Sequence, residues 1–218
     1  MIFDCDGVLI DSEAIAARCL VEAHREIGVE IDRDFVAEHY LGRSFPVVEK
    51  VVKRDFGVVL PAHFESRYRA RLLEAYDIEL RVMPGVVGVI EALGVPYSLA
   101  TSSSPKRLAH SLSVVALDRY FEGRCVTASE VERGKPAPDI YLHVANRWNA
   151  DPERCLVIED SLVGVEAGLA AGMEVWRFVG GTHLSGVSRD MPRNARWHRQ
   201  FASFDEFFHL EPSLKSRN

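Results

Sequence analysis

The sequence predicts an α/β protein: a Rossmann-like parallel sheet interrupted after its first strand by an all-helical insert. Three observations carry this. From Pro84 to Phe178, short apolar runs alternate with segments of helical length, the pattern of a parallel sheet covered on both faces. The opening run Met1-Ile-Phe3 is also strand-like and stops at the polar Asp4-Cys5-Asp6-Gly7. Between these regions, residues 12–80 carry helical periodicity without a strand.

Each element has its own signal. Ile15, Cys19, Ala23 and Ile27 recur at helical spacing over residues 12–27, and Gly28 marks a stop. Ser44 caps a second helix that runs to Phe56 and ends at Gly57. Pro61 opens a third, to about Tyr76. Beyond Pro84, a helix to Leu93 precedes a strand at Tyr97–Thr101. Pro105 opens the next helix, and Arg124–Thr127 reads as a strand. Pro138 opens another helix, followed by the apolar run Cys155–Ile158. A helix from Ser161 to Ala171 ends at Gly172, and Glu174–Phe178 is a further strand. The tail is expected to complete the sheet edge, with Trp197 and Phe201 as packing residues. The division predicted is a core of residues 1–11 and 82–218 with a helical cap over 12–81. Only three residues precede Asp4, fewer than the five or six of a usual strand, which leaves open whether further residues precede Met1.

Composition narrows the function. Of 218 residues, 47% are apolar and 27% charged, with a net charge of −6. This is globular composition, and its acidic balance speaks against nucleic acid as a partner. No apolar run reaches the ~18 residues of a membrane span, so no membrane is expected. The four cysteines stand apart, with no metal-ligand spacing, and read as free buried thiols in a reducing compartment, the cytoplasm.

Ligands in open parallel sheets bind at the carboxyl ends of the strands. Those ends carry Asp4-Cys5-Asp6-Gly7, Thr101-Ser102-Ser103 and Glu159-Asp160-Ser161, and a loop before the last carries Gly134-Lys135-Pro136. Any one segment is explained by turn formation or helix capping. Together they place four carboxylates, hydroxyls and one lysine on one edge. Like charges 4 Å apart repel by roughly 4 kcal/mol at an effective dielectric of 20. A divalent cation removes that cost, and oxygen-only ligands point to Mg²⁺ as the cofactor.

The segments DCDGVLIDSE, LATSS, GKPAPD and IEDSLVGVEAG resemble, in order, the four motifs of the haloacid dehalogenase superfamily, over residues 4–172. The helical insert directly after the first motif resembles the cap of its β-phosphoglucomutase-like subgroup, which includes sugar-phosphate phosphatases. The resemblance implies that Asp4 attacks the substrate phosphorus to form an aspartyl-phosphate, and that Mg²⁺ lowers the repulsion between the two anions. It implies metal ligation by Asp4 and Asp160, with the backbone carbonyl of Asp6, and leaves Glu159 as either a ligand or a support for one. Asp6 matches the family's general acid/base, with a pKa expected to be raised by neighbouring negative charge. Thr101 would donate its hydroxyl to a phosphate oxygen, with backbone N–H groups near Ser102 and Ser103 assisting. Lys135 would neutralise Asp4 and the phosphoryl group.

The substrate expected is a small phosphorylated metabolite, a sugar or sugar-acid phosphate, and the protein is expected to act as a monomer. Arg43, in YLGRS, falls near the stretch that resembles the subgroup's specificity loop and is the candidate substrate contact. Arg67, Arg69 and Arg71 read as a solvated helix face, and His24 and His39 as packing or surface residues. Dehalogenases of the superfamily lack the second aspartate, because a halide leaves without a proton, so Asp6 argues against dehalogenation. The alternative is a phosphomutase of the β-phosphoglucomutase type. Its members resemble one another in a histidine twelve residues after the nucleophile, where this chain has Ala16, and in a cap-loop arginine, where it has Phe45.

Overall fold

The computed structural model describes residues 1–43, 45–186 and 197–216. Ser44, expected to cap a helix, lies outside the described residues. Six strands form one parallel sheet: β1 (Ile2–Phe3), β2 (Ser98–Thr101), β3 (Cys125–Thr127), β4 (Leu156–Glu159), β5 (Glu174–Phe178) and β6 (Arg199–Phe201), in the order β3-β2-β1-β4-β5-β6. Alternation along the strands divides the core. Phe3, Leu99, Ile158 and Trp176 enter one apolar layer. Their neighbours Ile2, Ala100, Val157 and Val175 enter the layer on the other face. Both faces are buried, as parallel strands require.

Four helices stand between β1 and β2: α1 (Glu13–Arg25), α2 (Arg33–His39), α3 (Phe45–Phe56) and α4 (Phe64–Glu79). They share a small apolar centre of their own, built around Leu20, Val36, Val48, Val52 and Phe64. His24 is buried there, packed between the rings of Tyr40 and Phe64. The short α2 had no periodic signal. It starts because the Asp32 carboxylate accepts from the Phe35 N–H at 2.8 Å. Helix α4 begins three residues after Pro61, because Pro61 caps a turn through the Phe64 N–H and does not occupy the first helical position.

The remaining helices cover the sheet: α5 (Val86–Ala92), α6 (Pro105–Val114), α7 (Asp118–Phe121), α8 (Asp139–Arg147), α9 (Leu162–Ala170) and α10 (Phe207–Leu210). Proline at the first turn and the Ser104 side chain, which accepts from Arg107 N–H, fix the start of α6. The tail adds β6 beside β5, and Phe201 packs on Trp176 and Phe178. Among the described residues, no helix is long and apolar enough to cross a membrane.

Candidate active site

The strand order decides which strand ends meet. β1 lies between β2 and β4, so the residues that follow all three project onto one rim. Asp4 and Asp6 follow β1, Thr101 ends β2, Glu159 ends β4 and Asp160 follows it. A cavity above this rim is lined by Asp4, Asp6, Thr101, Ser102, Lys135, Glu159 and Asp160 from below and by cap residues including Arg43 from above. All seven lower residues and Arg43, named from the sequence, thus meet one cavity. Arg43 is exposed at its mouth.

Lys135 organises the acidic side. Its Nζ donates to Asp4 Oδ1 at 2.6 Å and to Glu159 Oε1 at 2.5 Å, with only 2% of the side chain exposed. Burial works against the ammonium charge, but Asp4 and Glu159 hold its pKa well above the ordinary lysine value. Glu159 is occupied by protein donors. Oε1 accepts from Lys135 and from Tyr141 Oη at 3.1 Å, and Oε2 accepts from the N–H and Oγ of Ser161 at 2.8 and 3.0 Å. Burial raises its pKa, but Lys135 and Ser161 outweigh that and hold it below the ordinary carboxylate value.

Asp4 and Asp160 differ. Burial pushes both well up, and Glu159 adds to the push on each. Oxygens of Asp4, Glu159 and Asp160 lie within 4.8 Å of one another, all three residues buried. One lysine therefore faces three carboxylates, and an all-oxygen donor set with this excess of negative charge fits a hard divalent cation. Asp6 is absent from that trio of side chains. His183, on the turn Thr182–Leu184, brings Nε2 to 2.9 Å from Asp160 Oδ2. Gly7 makes room for this arrangement: its φ is +79°, and a Cβ there would stand 2.0 Å from Asp160 Oδ2.

Asp6 departs from expectation. Its Oδ1 accepts from Ser12 Oγ at 2.6 Å and Arg107 Nη2 at 2.7 Å, and its Oδ2 from Ser103 Oγ at 2.6 Å and Thr101 Oγ1 at 3.4 Å. Burial raises its pKa, but Arg107 and the two serines outweigh burial and hold it below the ordinary value. The raised pKa expected from neighbouring anions is thus overturned by a cation that the motif pattern did not show. Arg69 corrects a second expectation. It lines the cavity, donates from Nη1 to Ser104 Oγ at 3.2 Å and lies over the Phe45 ring. Arg67 and Arg71 do face outward, paired with Glu26.

Two further residues escaped sequence reasoning. Arg107 sits in the first turn of α6, immediately beyond the hydroxyl run, and a cation so placed was the available signal. Glu13 begins α1 and lines the same cavity. Burial, then Asp6 and Asp160, push its pKa up to about 7 against the opposing pull of Arg107 and His183. Ser102 donates its hydroxyl to Gly42 O at 3.2 Å and so ties the cap loop to the core.

Comparison with known proteins agrees with this architecture. The family model for haloacid dehalogenase-like hydrolases matches residues 1–172. The chain is 30% identical over 182 residues to the 6-phosphogluconate phosphatase of Escherichia coli (strain K12), covering 83% of this chain and 82% of that protein. It is 33% identical over 193 residues to a phosphorylated carbohydrates phosphatase of Thermotoga maritima, covering 80% and 82%. A conserved haloacid dehalogenase-like protein of Agrobacterium tumefaciens superposes with a TM-score of 0.80 at 28% identity, over 97% of this chain and 96% of the other. The matched model, the six-stranded parallel sheet and the acidic rim lead to one conclusion: the chain belongs to the haloacid dehalogenase-like hydrolase family.

Proposed function

We propose that the protein is a Mg²⁺-dependent phosphatase of small phosphorylated metabolites, sugar or sugar-acid phosphates, working through an aspartyl-phosphate. The observation that carries the reading is the buried bridge from Lys135 to Asp4 and Glu159 beside Asp160, a site whose excess of negative charge suits a cation, which would in turn offset the charge of a phosphate. Relatives named for phosphatase activity on 6-phosphogluconate and on phosphorylated carbohydrates support the substrate class. Residues 1–11 and 82–218 form the catalytic core in this reading, and residues 12–81 the cap that admits substrate.

Asp4 and Asp160 would hold Mg²⁺, together with the Asp6 backbone carbonyl. Glu159, saturated by Lys135, Tyr141 and Ser161, supports the site without being a ligand. When bound, the ion supplies positive charge at the carboxylates and the phosphoryl oxygens. Burial and the neighbouring carboxylates push the Asp4 pKa up while Lys135 pulls it down, and a bound cation would add to the charge that favours the ionised nucleophile.

An Asp4 oxygen attacks phosphorus as the bond to the substrate oxygen breaks, and that oxygen takes a proton from Asp6, which its donors hold ionised at rest and which must first take up a proton from solvent as one of them leaves it. A water then attacks the phosphoenzyme, giving its proton to Asp6 as the bond to Asp4 breaks. Lys135 and Thr101 balance charge on the phosphoryl group. Water is the acceptor in this reading, since Ala16, which lines the cavity, offers no polar atom where the mutase pattern has histidine. The test is release of inorganic phosphate from 6-phosphogluconate, sorbitol 6-phosphate, glucose 6-phosphate and glycerol 3-phosphate with Mg²⁺ or with EDTA. Metal-dependent release is expected. Release unaffected by EDTA, or none from any ester, overturns the reading.

A further inference from the structure

The two carboxylates at the end of β4 are held in different ways. Glu159 accepts from Lys135, Tyr141 and Ser161. The nitrogen set against the Asp160 side chain is His183 Nε2, 2.9 Å from Oδ2, on a side chain only 7% exposed. That distance is within hydrogen-bond reach, but neither nitrogen of the buried ring has an aligned partner among the described residues. An imidazole N–H buried unpaired costs about 1–3 kcal/mol, so a small turn of the ring or the carboxylate that aligns the contact is favoured. The slot for the ring is tight. A Cβ on Gly7 would stand 2.9 Å from His183 Cε1, and one on Gly181 would stand 2.6 Å from the same atom. The turn that carries the ring is pinned to the first crossing into the cap, where Asp11 Oδ1 accepts from the Thr182 N–H at 3.1 Å and from Thr182 Oγ1 at 2.9 Å. From β5, Arg177 Nε donates to the Asp160 main-chain carbonyl at 3.3 Å. Strand β5 and the turn after it therefore engage both the backbone and the side chain of Asp160. Asp160 lines the cavity and His183 does not, so the ring acts on Asp160 and not on substrate.

We propose that His183 is a positioning residue for the cation site: its Nε2–H donates to Asp160 Oδ2, fixes the rotation of that carboxylate and leaves the other oxygen free for a cation. Nε2 is the donor whether the ring carries one proton or two, so a neutral imidazole serves and adds direction without adding charge. Asp4 and Asp160 come from different strand ends, and a small octahedral cation tolerates little error in the placement of its ligands. A carboxylate that turns freely about its last bond offers either oxygen or both, and the N–H contact removes that freedom before an ion arrives. A polar partner standing behind a ligand is typically worth about 10- to 100-fold in metal affinity. His183 lies outside the four motif segments, so their spacing gave no sign of it. The inference rests on the metal-dependent phosphatase reading and assigns to this site a residue that the reading does not use.

The test uses Mn²⁺ alone as the probe, with the free ion read by electron paramagnetic resonance as the full chain is titrated without substrate. His183→Leu removes the donor at similar size, and His183→Gln carries an amide nitrogen that can stand where Nε2 stands. Binding is expected to weaken about tenfold or more in His183→Leu and to stay within about threefold of the parent in His183→Gln. In phosphate release, the Mg²⁺ concentration for half-maximal rate should rise in His183→Leu by the same factor, with kcat at saturating Mg²⁺ little changed. General structural damage instead lowers kcat at every Mg²⁺ concentration. Mn²⁺ binding by His183→Leu within about twofold of the parent, or by His183→Gln as weak as by His183→Leu, overturns the proposal. The unsubstituted chain gives a reading that needs no variant to fold. With ¹⁵N-labelled histidine, the His183 resonances are expected to show a proton on Nε2, and a proton on Nδ1 alone overturns the proposal. A parent that binds no Mn²⁺ overturns the metal-dependent reading itself, a result distinguishable from a parent and variants that bind it equally.

Discussion

Gly42 is the point at which the cap loop meets the core, and its substitution by alanine separates cap seating from backbone strain. Its φ is +70°, a conformation that costs an L-residue roughly 1–2 kcal/mol. A Cβ there would stand 2.6 Å from Ser161 Oγ and 2.8 Å from Val163 Cγ2. Neither neighbour yields easily. Ser161 caps α9 and is bonded to Glu159, and Val163 is buried. Forcing an extra methyl into such a contact costs typically 1–3 kcal/mol, and 1.4 kcal/mol is tenfold. If the seated cap is the reactive arrangement, kcat/KM for a phosphorylated metabolite falls roughly 5- to 150-fold in Gly42→Ala beyond the backbone effect. Gly57→Ala is the matched control, with φ +67° and nothing within 4 Å of the added carbon. Both variants are assayed by phosphate release under subsaturating substrate, and their melting temperatures are compared by circular dichroism. Equal kcat/KM in the two variants would refute the reasoning, because they share the backbone term and differ only in the contact with the core.

Asp4→Asn is expected to abolish turnover without unfolding the chain, and beryllium trifluoride with Mg²⁺ should form its adduct on the parent and not on the variant, as read by ¹⁹F resonance. Lys135→Met leaves Asp4 and Glu159 buried without their shared cation, so unfolding by urea should show a loss of roughly 3–5 kcal/mol at neutral pH. Arg43→Ala should lower kcat/KM for the best metabolite more than for p-nitrophenyl phosphate; equal effects would remove Arg43 from substrate recognition. The pKa of Glu13 is raised to about 7 in the folded chain, so the folded state binds the extra proton and this stabilising contribution is lost as pH rises from about 4.5 through 7. Glu13→Gln should therefore melt with a smaller drop in Tm between pH 5 and pH 8 than the parent, and an unchanged drop would show that Glu13 does not titrate there.

The amino-acid sequence by itself determined the alternation of elements and the residues at the strand ends. Short apolar runs followed by Asp4, Thr101 and Glu159-Asp160 are local patterns, and a parallel sheet sends every such end to one edge. The ordered motifs did the rest for the core, because each lies within a few consecutive residues. The short α2 and α10 escaped because too few turns exist for periodicity to register, whereas the tail was expected at the sheet edge and β6 stands there.

Tertiary structure alone decided who bonds to whom across the rim. Arg107 and Asp6 lie 101 positions apart, and only the folding of the chain brings the start of α6 to the rim, where Arg107 lowers the Asp6 pKa. Nor does spacing along the chain show that Tyr141, Lys135 and Ser161 all donate to the Glu159 oxygens. Arg69 looked solvated on its own helix because a helix pattern records which face a residue occupies and not what another domain brings against that face. Spacing along the chain encodes local geometry, whereas pairing between distant side chains depends on the strand order and on how the cap packs.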